Sequence, residues 1–283
     1  DNHGELIHRT LIEPLVTRAT NLQSDRLHAR NHRLFWAPLF YPETLLGTFV
    51  GQSKIRATRF HHPVACGVGS LSKRLMAEIE ASDCVVIPEL SKIQARGAGW
   101  VINDSFRTAN LSSSLPQHLL AQIAGIDVTP LQKSSYLIVF LKLKGKVDCE
   151  VIFNASSTGQ FFRLVNQSRL RGDETTTFVT VEYNLDLVCR TNEDFVRDKE
   201  YLVEIETFIE HLSLGECIVI DSSVVELKNK IVFPDLDNVR FNAVNTQLIE
   251  AVPITLMGPS LGMNGGALND QILQALKYVE MSG

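Results

Sequence analysis

From Val179 to Cys189 apolar and polar residues alternate almost without a break. Val179, Val181, Tyr183, Leu185, Leu187 and Cys189 are separated by Thr180, Glu182, Asn184 and Asp186. Successive side chains of a strand point to opposite faces, so a period of two demands one buried face and one wet or polar-contacting face. The habit recurs at Val147, Cys149, Val151 and Phe153, and again at Tyr201, Val203, Ile205 and Thr207. The apolar run Tyr136 to Leu143, with Cys217 to Ile220 and Val224 to Phe233, supplies further strands. Lys144-Gly145-Lys146 reads as a short hairpin turn. Strands adjacent in sequence and joined by short turns pair antiparallel.

Before Thr129-Pro130 the period is different. Leu6, Ile7, Leu11, Leu15, Ala19, Leu22 and Leu27 recur at helical spacing, interrupted by Pro14. The aromatic stretch Leu34 to Pro42 reads as an irregular buried anchor. Ser70 is placed to cap a helix through about Ala81, followed by the apolar strand Cys84 to Ile87. Pro116 suits the start of a helix through Ala124. In the tail, Val252 to Met257 reads as a strand, Gly258 to Gly266 as a glycine-rich loop and Ala267 to Val279 as a terminal helix. The fold class this implies is α+β: a helix-containing N-terminal half, a mostly antiparallel sheet in the C-terminal half, and a terminal helix. The change of period sets a soft boundary between residues 1–130, with a basic N-terminal segment, and residues 131–283.

With 45% apolar and 21% charged residues over 283 positions, the chain can bury a core and is not disordered. Its cysteines, Cys66, Cys84, Cys149, Cys189 and Cys217, are odd in number and form no Cys-x-x-Cys pair. They read as small buried hydrophobes in an intracellular, reducing compartment. Sequons at Asn103, Asn110, Asn154 and Asn166 then read as chance. No apolar run is long enough to span a bilayer. The first residue, Asp1, suggests a processed or absent start. Residues 1–74 hold ten Lys and Arg against five acids, although the whole chain carries a net charge of −5. Arg18, Arg26, Arg30 and Arg33 are the contacts such a basic arm would offer to nucleic acid or an acidic partner.

Motifs for chemistry are sparse. Gly258, Gly262, Gly265 and Gly266 between a strand and a helix resemble a phosphate loop in outline, since glycines let N–H groups approach an anion. The spacing matches neither G-x-G-x-x-G nor G-x-x-x-x-G-K-[ST], and no lysine is present. Asp148 and Glu150 would share one face of a strand and are the candidate metal ligands, with Asp83, Glu89 and Lys92 nearby in type. His61-His62 with Cys66 lacks a second ligand pair at zinc spacing. No cofactor is implied. With long polar-faced strands, a basic arm and no complete site, the favoured function is a self-assembling or partner-binding structural subunit, such as a capsid-type component of a particle. Two alternatives stand beside it: a nucleotide- or nucleic-acid-processing enzyme using the Gly258–Gly266 loop, and a nucleic-acid-binding module using residues 1–74.

Overall fold

The computed structural model of the chain describes residues 4–28, 69–84, 89–156, 158–171, 176–211, 217–233, 235–258, 260 and 276–277. The N-terminal pattern is helical from Glu5 and runs through Pro14. A turn over Glu5–Ile7 widens to a π-helix over His8–Ile12, where the Glu13 N–H donates to the His8 carbonyl. Proline has no N–H and its ring crowds the preceding turn, and the wider turn just upstream takes up that conflict. Helix α1 (Glu13–Thr20) then buries Leu15, Val16 and Ala19 and ends at Asn21, whose φ of 58° is left-handed. Helix α2 (Gly69–Glu80) falls where Ser70 to Ala81 was anticipated and buries none of its side chains.

Strands β1 (Ile93–Arg96), β2 (Gly99–Ile102) and β3 (Phe106–Thr108) form an antiparallel meander. After the short β4 (Ser112–Ser113), helix α3 (Gln117–Ala124) starts behind Pro116, as its sequence suggests. Ile93 and Trp100 pack with Leu120 and Ala121 of α3 and with Ile249 and Ile254 from far along the chain.

The main sheet has five strands in the order β6-β7-β8-β5-β9, all antiparallel. They are β5 (Ser134–Gly145), β6 (Val151–Phe153), β7 (Arg163–Asn166), β8 (Thr177–Asn184) and β9 (Cys217–Ile231). A short α4 (Gln167–Arg171) follows β7. Leu137, Val139, Leu141 and Leu143 of β5 face the same way as Val179, Val181 and Tyr183 of β8. Helices α5 (Leu185–Thr191) and α6 (Glu200–His211) cover that face and complete the largest core. Helix α7 (Leu236–Glu250) and the two-residue β10 (Thr255–Leu256), parallel to β4, return the chain to the second core.

Several strand expectations change. Alternation from Val179 ends at Asn184, because that side chain accepts from the Leu187 N–H at 3.1 Å and caps α5. Tyr201 to Thr207 is helical: Tyr201, Ile205, Phe208 and Ile209 face the core, while Val203 is 67% exposed. Lys144-Gly145-Lys146 is no hairpin, since β6 pairs with β7 and not with β5. Asp148 and Glu150 precede β6 and lie outside any strand. The two candidate runs from Cys217 are one strand of 15 residues. Cys84 to Ile87 lies largely outside the described residues, as does most of the terminal helix.

Candidate functional site

The outer face of the main sheet, opposite α5 and α6, is the part of the fold built like a binding surface. Pairing across β7, β8, β5 and β9 sets Arg163, Glu182, Ile138 and Val225 in one row. The next row holds Val165, Thr180, Phe140 and Ser223, and the row beyond it Phe178, Lys142 and Asp221. Rows on one face repeat roughly every 7 Å along the strands. Phe140 and Phe178 are each 43% exposed, so two aromatic rings stand open in the middle of a sheet. At one end Tyr136 packs against Phe162, Phe233 and Ala19 of α1, and this closes that end of the face.

One ion pair sits on this apolar ground. Arg163 donates from Nε at 3.1 Å and from Nη2 at 2.5 Å to the same Glu182 oxygen, Oε1. The guanidinium carbon lies 5.6 Å from the centre of the Phe162 ring. The Arg163 side chain is 33% exposed and that of Glu182 15%, so the cation is the more accessible partner. Burial, with Glu182 next in effect, pushes the Tyr136 hydroxyl far above the usual phenol range, and this group donates to the Ala19 carbonyl. The sequence marked Glu182 as a wet-face position. It did not mark Arg163, whose position within the apolar run Phe161-Phe-Arg-Leu-Val was the available signal.

On the core side a second polar cluster joins α6 to the loop before β7. Glu204 Oε1 accepts the N–H groups of Gln160 at 2.9 Å and Phe161 at 3.2 Å. Arg18 donates to the carbonyls of Gly159 at 3.0 Å and Asn154 at 3.3 Å. Gly159 has φ +73°, and a Cβ there would lie 3.2 Å from Asn154 Nδ2 and 3.4 Å from Glu204 Oε1, so no other residue fits easily. Burial raises the Glu204 carboxyl above its ordinary range, and the two N–H groups, Tyr183 and Arg18 oppose that rise. The sequon at Asn154 belongs to this cluster, and the one at Asn166 lies beside Val147. Both side chains are nearly buried, and both donate to backbone carbonyls.

The sequence-derived candidates fare differently. Asp148 and Glu150 both face Arg169, which occupies them in ion pairs. Among the described residues no group of His, Cys, Asp or Glu is placed to hold a metal. Arg18 donates to the loop before β7, and Arg26, half exposed, bonds Asp237 at 2.7 Å. Arg30, Arg33, His61, His62 and Cys66 lie outside the described residues, as do Gly262, Gly265 and Gly266. Gly258 is described, with φ +50°, at the carboxyl end of β10. The loop there is pinned to β4: Ser260, fully buried, donates to the Leu115 carbonyl at 2.6 Å and meets the Ser113 hydroxyl at 3.1 Å. Among the described residues no helix is long and apolar enough to cross a membrane.

No protein-family model matches the chain, and no curated protein matches it. Solved structures do. The chain is similar to reduced UDP-galactopyranose mutase (TM-score 0.66, 11% identity) over 91% of its own length and 60% of the mutase. It is similar to a protoporphyrinogen oxidase homologue from Exiguobacterium sp. 255-15 (TM-score 0.60, 14% identity), covering 98% of this chain and 64% of that one. Cyclohexylamine oxidase from Brevibacterium oxydans IH-35A matches with TM-score 0.59 and 11% identity, over 99% of this chain and 66% of the oxidase. The chain thus spans about three fifths to two thirds of the length of these proteins. At such identities the likeness is one of fold. It overturns the expectation of a structural, capsid-type assembly subunit, because the proteins that share the architecture are a mutase and oxidases. Nor does it support a homo-oligomeric or nucleic-acid partner.

Proposed function

We propose that this chain provides the substrate-binding wall of an oxidoreductase, with the outer face of the five-stranded sheet as that wall. One observation carries the reading: half-open aromatic rings and a single ion pair occupy the centre of a sheet in a fold shared with oxidases. A solvated structural sheet has no need of exposed Phe140 and Phe178, and contiguous apolar surface of this kind marks binding sites.

An oxidase needs an electron-accepting group, because hydride chemistry is carried by cofactors and not by side chains. A flavin is the class this reading implies. The sequence holds no G-x-G-x-x-G, and Gly258 to Gly266 contains no Lys or Arg, so no flavin-holding role is assigned to these residues. The chemistry assigned to this chain therefore stops at binding and orienting a substrate. The unpaired state of Cys84, Cys149, Cys189 and Cys217 supports a reducing, intracellular compartment.

The test uses the compounds that name the structural neighbours. Cyclohexylamine, protoporphyrinogen and UDP-galactopyranose are each titrated into the full chain, with chemical shifts followed at the Phe140, Phe178 and Val225 side chains. Perturbation confined to the outer face by at least one compound, lost in F140A/F178A, is the expected result. Silence at all three positions, or shifts that survive the double substitution, overturns the reading.

A further inference from the structure

We infer that the outer face is selective for a small apolar molecule that carries a carboxylate, and that Arg163 is the residue that binds this group. The inference rests on the reading of that face as a substrate wall and adds the chemical class of the substrate. Arg163 spends Nε and Nη2 on a single oxygen of Glu182. A guanidinium has five N–H donors in a planar fork, so the Nη1 edge is left to meet a ligand. Glu182 has one further oxygen to offer. Donors therefore outnumber acceptors in the pair, and the group that completes it is an acceptor.

Exposure points the same way. The Arg163 side chain is about twice as exposed as that of Glu182, so an incoming molecule meets the arginine before its partner. Among the described side chains along the strands of this face, the cations Lys142, Lys144 and Arg163 stand against the acids Glu182 and Asp221, an excess of one positive charge. Glu182 acts as a positioning residue: with the Phe162 ring it holds the fork in one orientation, and less ordering remains to be done when the carboxylate arrives. Phe140 and Phe178, one and two rows away, supply the apolar ground for the body of the molecule. A planar carboxylate suits the flat edge of the fork better than an ammonium ion, which Arg163 repels, or an amide, which gains no charge-assisted bond.

Calorimetric titration of the full chain with 2-naphthoate, 2-naphthamide and 2-naphthylmethylamine tests this at low ionic strength. The carboxylate is expected to bind roughly tenfold or more tightly than the amide, the scale of one charge-assisted hydrogen bond. R163Q removes the preference. Because that substitution strands Glu182, R163Q/E182Q is measured alongside it; the neutral pair keeps a hydrogen-bonded couple and must also lose the preference, while F140A weakens all binding. Equal affinity for naphthoate and naphthamide overturns the inference yet leaves the binding wall in place. Failure of every naphthyl compound to bind removes the wall itself, and the inference with it. A preference for the amine, or one for the carboxylate that survives in R163Q/E182Q, overturns the assignment to Arg163.

Discussion

Glu204 is a carboxylate held where water is scarce, and its neighbours only partly compensate. Two backbone N–H groups, the Tyr183 hydroxyl and Arg18 favour the ionised form, but burial outweighs them and the carboxyl titrates above its ordinary range. A pKa raised on folding means that the folded state holds its proton more tightly than the unfolded chain does. The stabilising contribution of Glu204 is therefore complete below the unfolded-state pKa, about 4.3, and is lost as pH rises through the higher folded value. Glutamine keeps a carbonyl to accept from Gln160 and Phe161 but cannot ionise. Urea unfolding of wild type and E204Q between about pH 4 and pH 7 should show the variant gaining on wild type as pH rises. A difference between the two proteins that does not change with pH would mean that Glu204 is not perturbed. None of this was legible beforehand. No local pattern marks Glu204, and only the fold brings Gly159, from 45 residues earlier, beneath it.

At the scale of elements, the sequence revealed helices where a start signal and periodicity agree, and misled where two periods coincide. Gly69–Glu80 and Gln117–Ala124 begin within one residue of Ser70 and Pro116. Tyr201 to Thr207 satisfies a period of two, but extending the window to Phe208 and Ile209 turns it into a helical face. The switch from β8 to α5 has a single-residue cause. Asn184 is fully buried, accepts from the Leu187 N–H, and donates to the Ala19 carbonyl at 3.2 Å. One side chain thus ends a strand, starts a helix and holds the end of α1. The pairing of Arg163 with Glu182 is set by strand register across 19 residues of sequence, which local pattern cannot see. N184A should cost about 1–3 kcal/mol, since it removes the cap of α5 and a buried hydrogen bond to the Ala19 carbonyl. Urea denaturation measures it, and a loss below about 0.5 kcal/mol, the size of an ordinary surface change, would reduce Asn184 to a bystander.

Across the whole molecule, the two main cores are coupled through amide side chains. The buried positions of α7 are Asn238, Asn242, Asn245 and Ile249, a polar face where a core helix would ordinarily be apolar. The arrangement has a purpose in the strap that leads from α3 into β5. Asn238 Oδ1 accepts the Gln132 N–H at 2.7 Å, and its Nδ2 donates to the Gln132 carbonyl at 2.9 Å. Asn245 treats Thr129 in the same way, at 3.0 Å and 2.8 Å. Two asparagines pair with a backbone segment as a neighbouring strand would. They tie the approach to β5 to a helix whose far end, Ile249, packs in the second core against Trp100 and Ile254. The composition of Leu236–Glu250 hid this, because buried amides are indistinguishable from a solvated face until their partners are known. N238A and N245A should each cost about 1–3 kcal/mol, because each removes two hydrogen bonds between α7 and the strap. The double variant should also separate the cores. In a W36F background, Trp100 fluorescence reports the second core and far-ultraviolet circular dichroism the whole chain. Coincident urea transitions in the parent should become offset in the double variant, the signature of lost two-state behaviour. If the transitions stay superimposed and the stability stays within about 0.5 kcal/mol of the parent, the strap is held by backbone geometry alone and the cores are joined elsewhere.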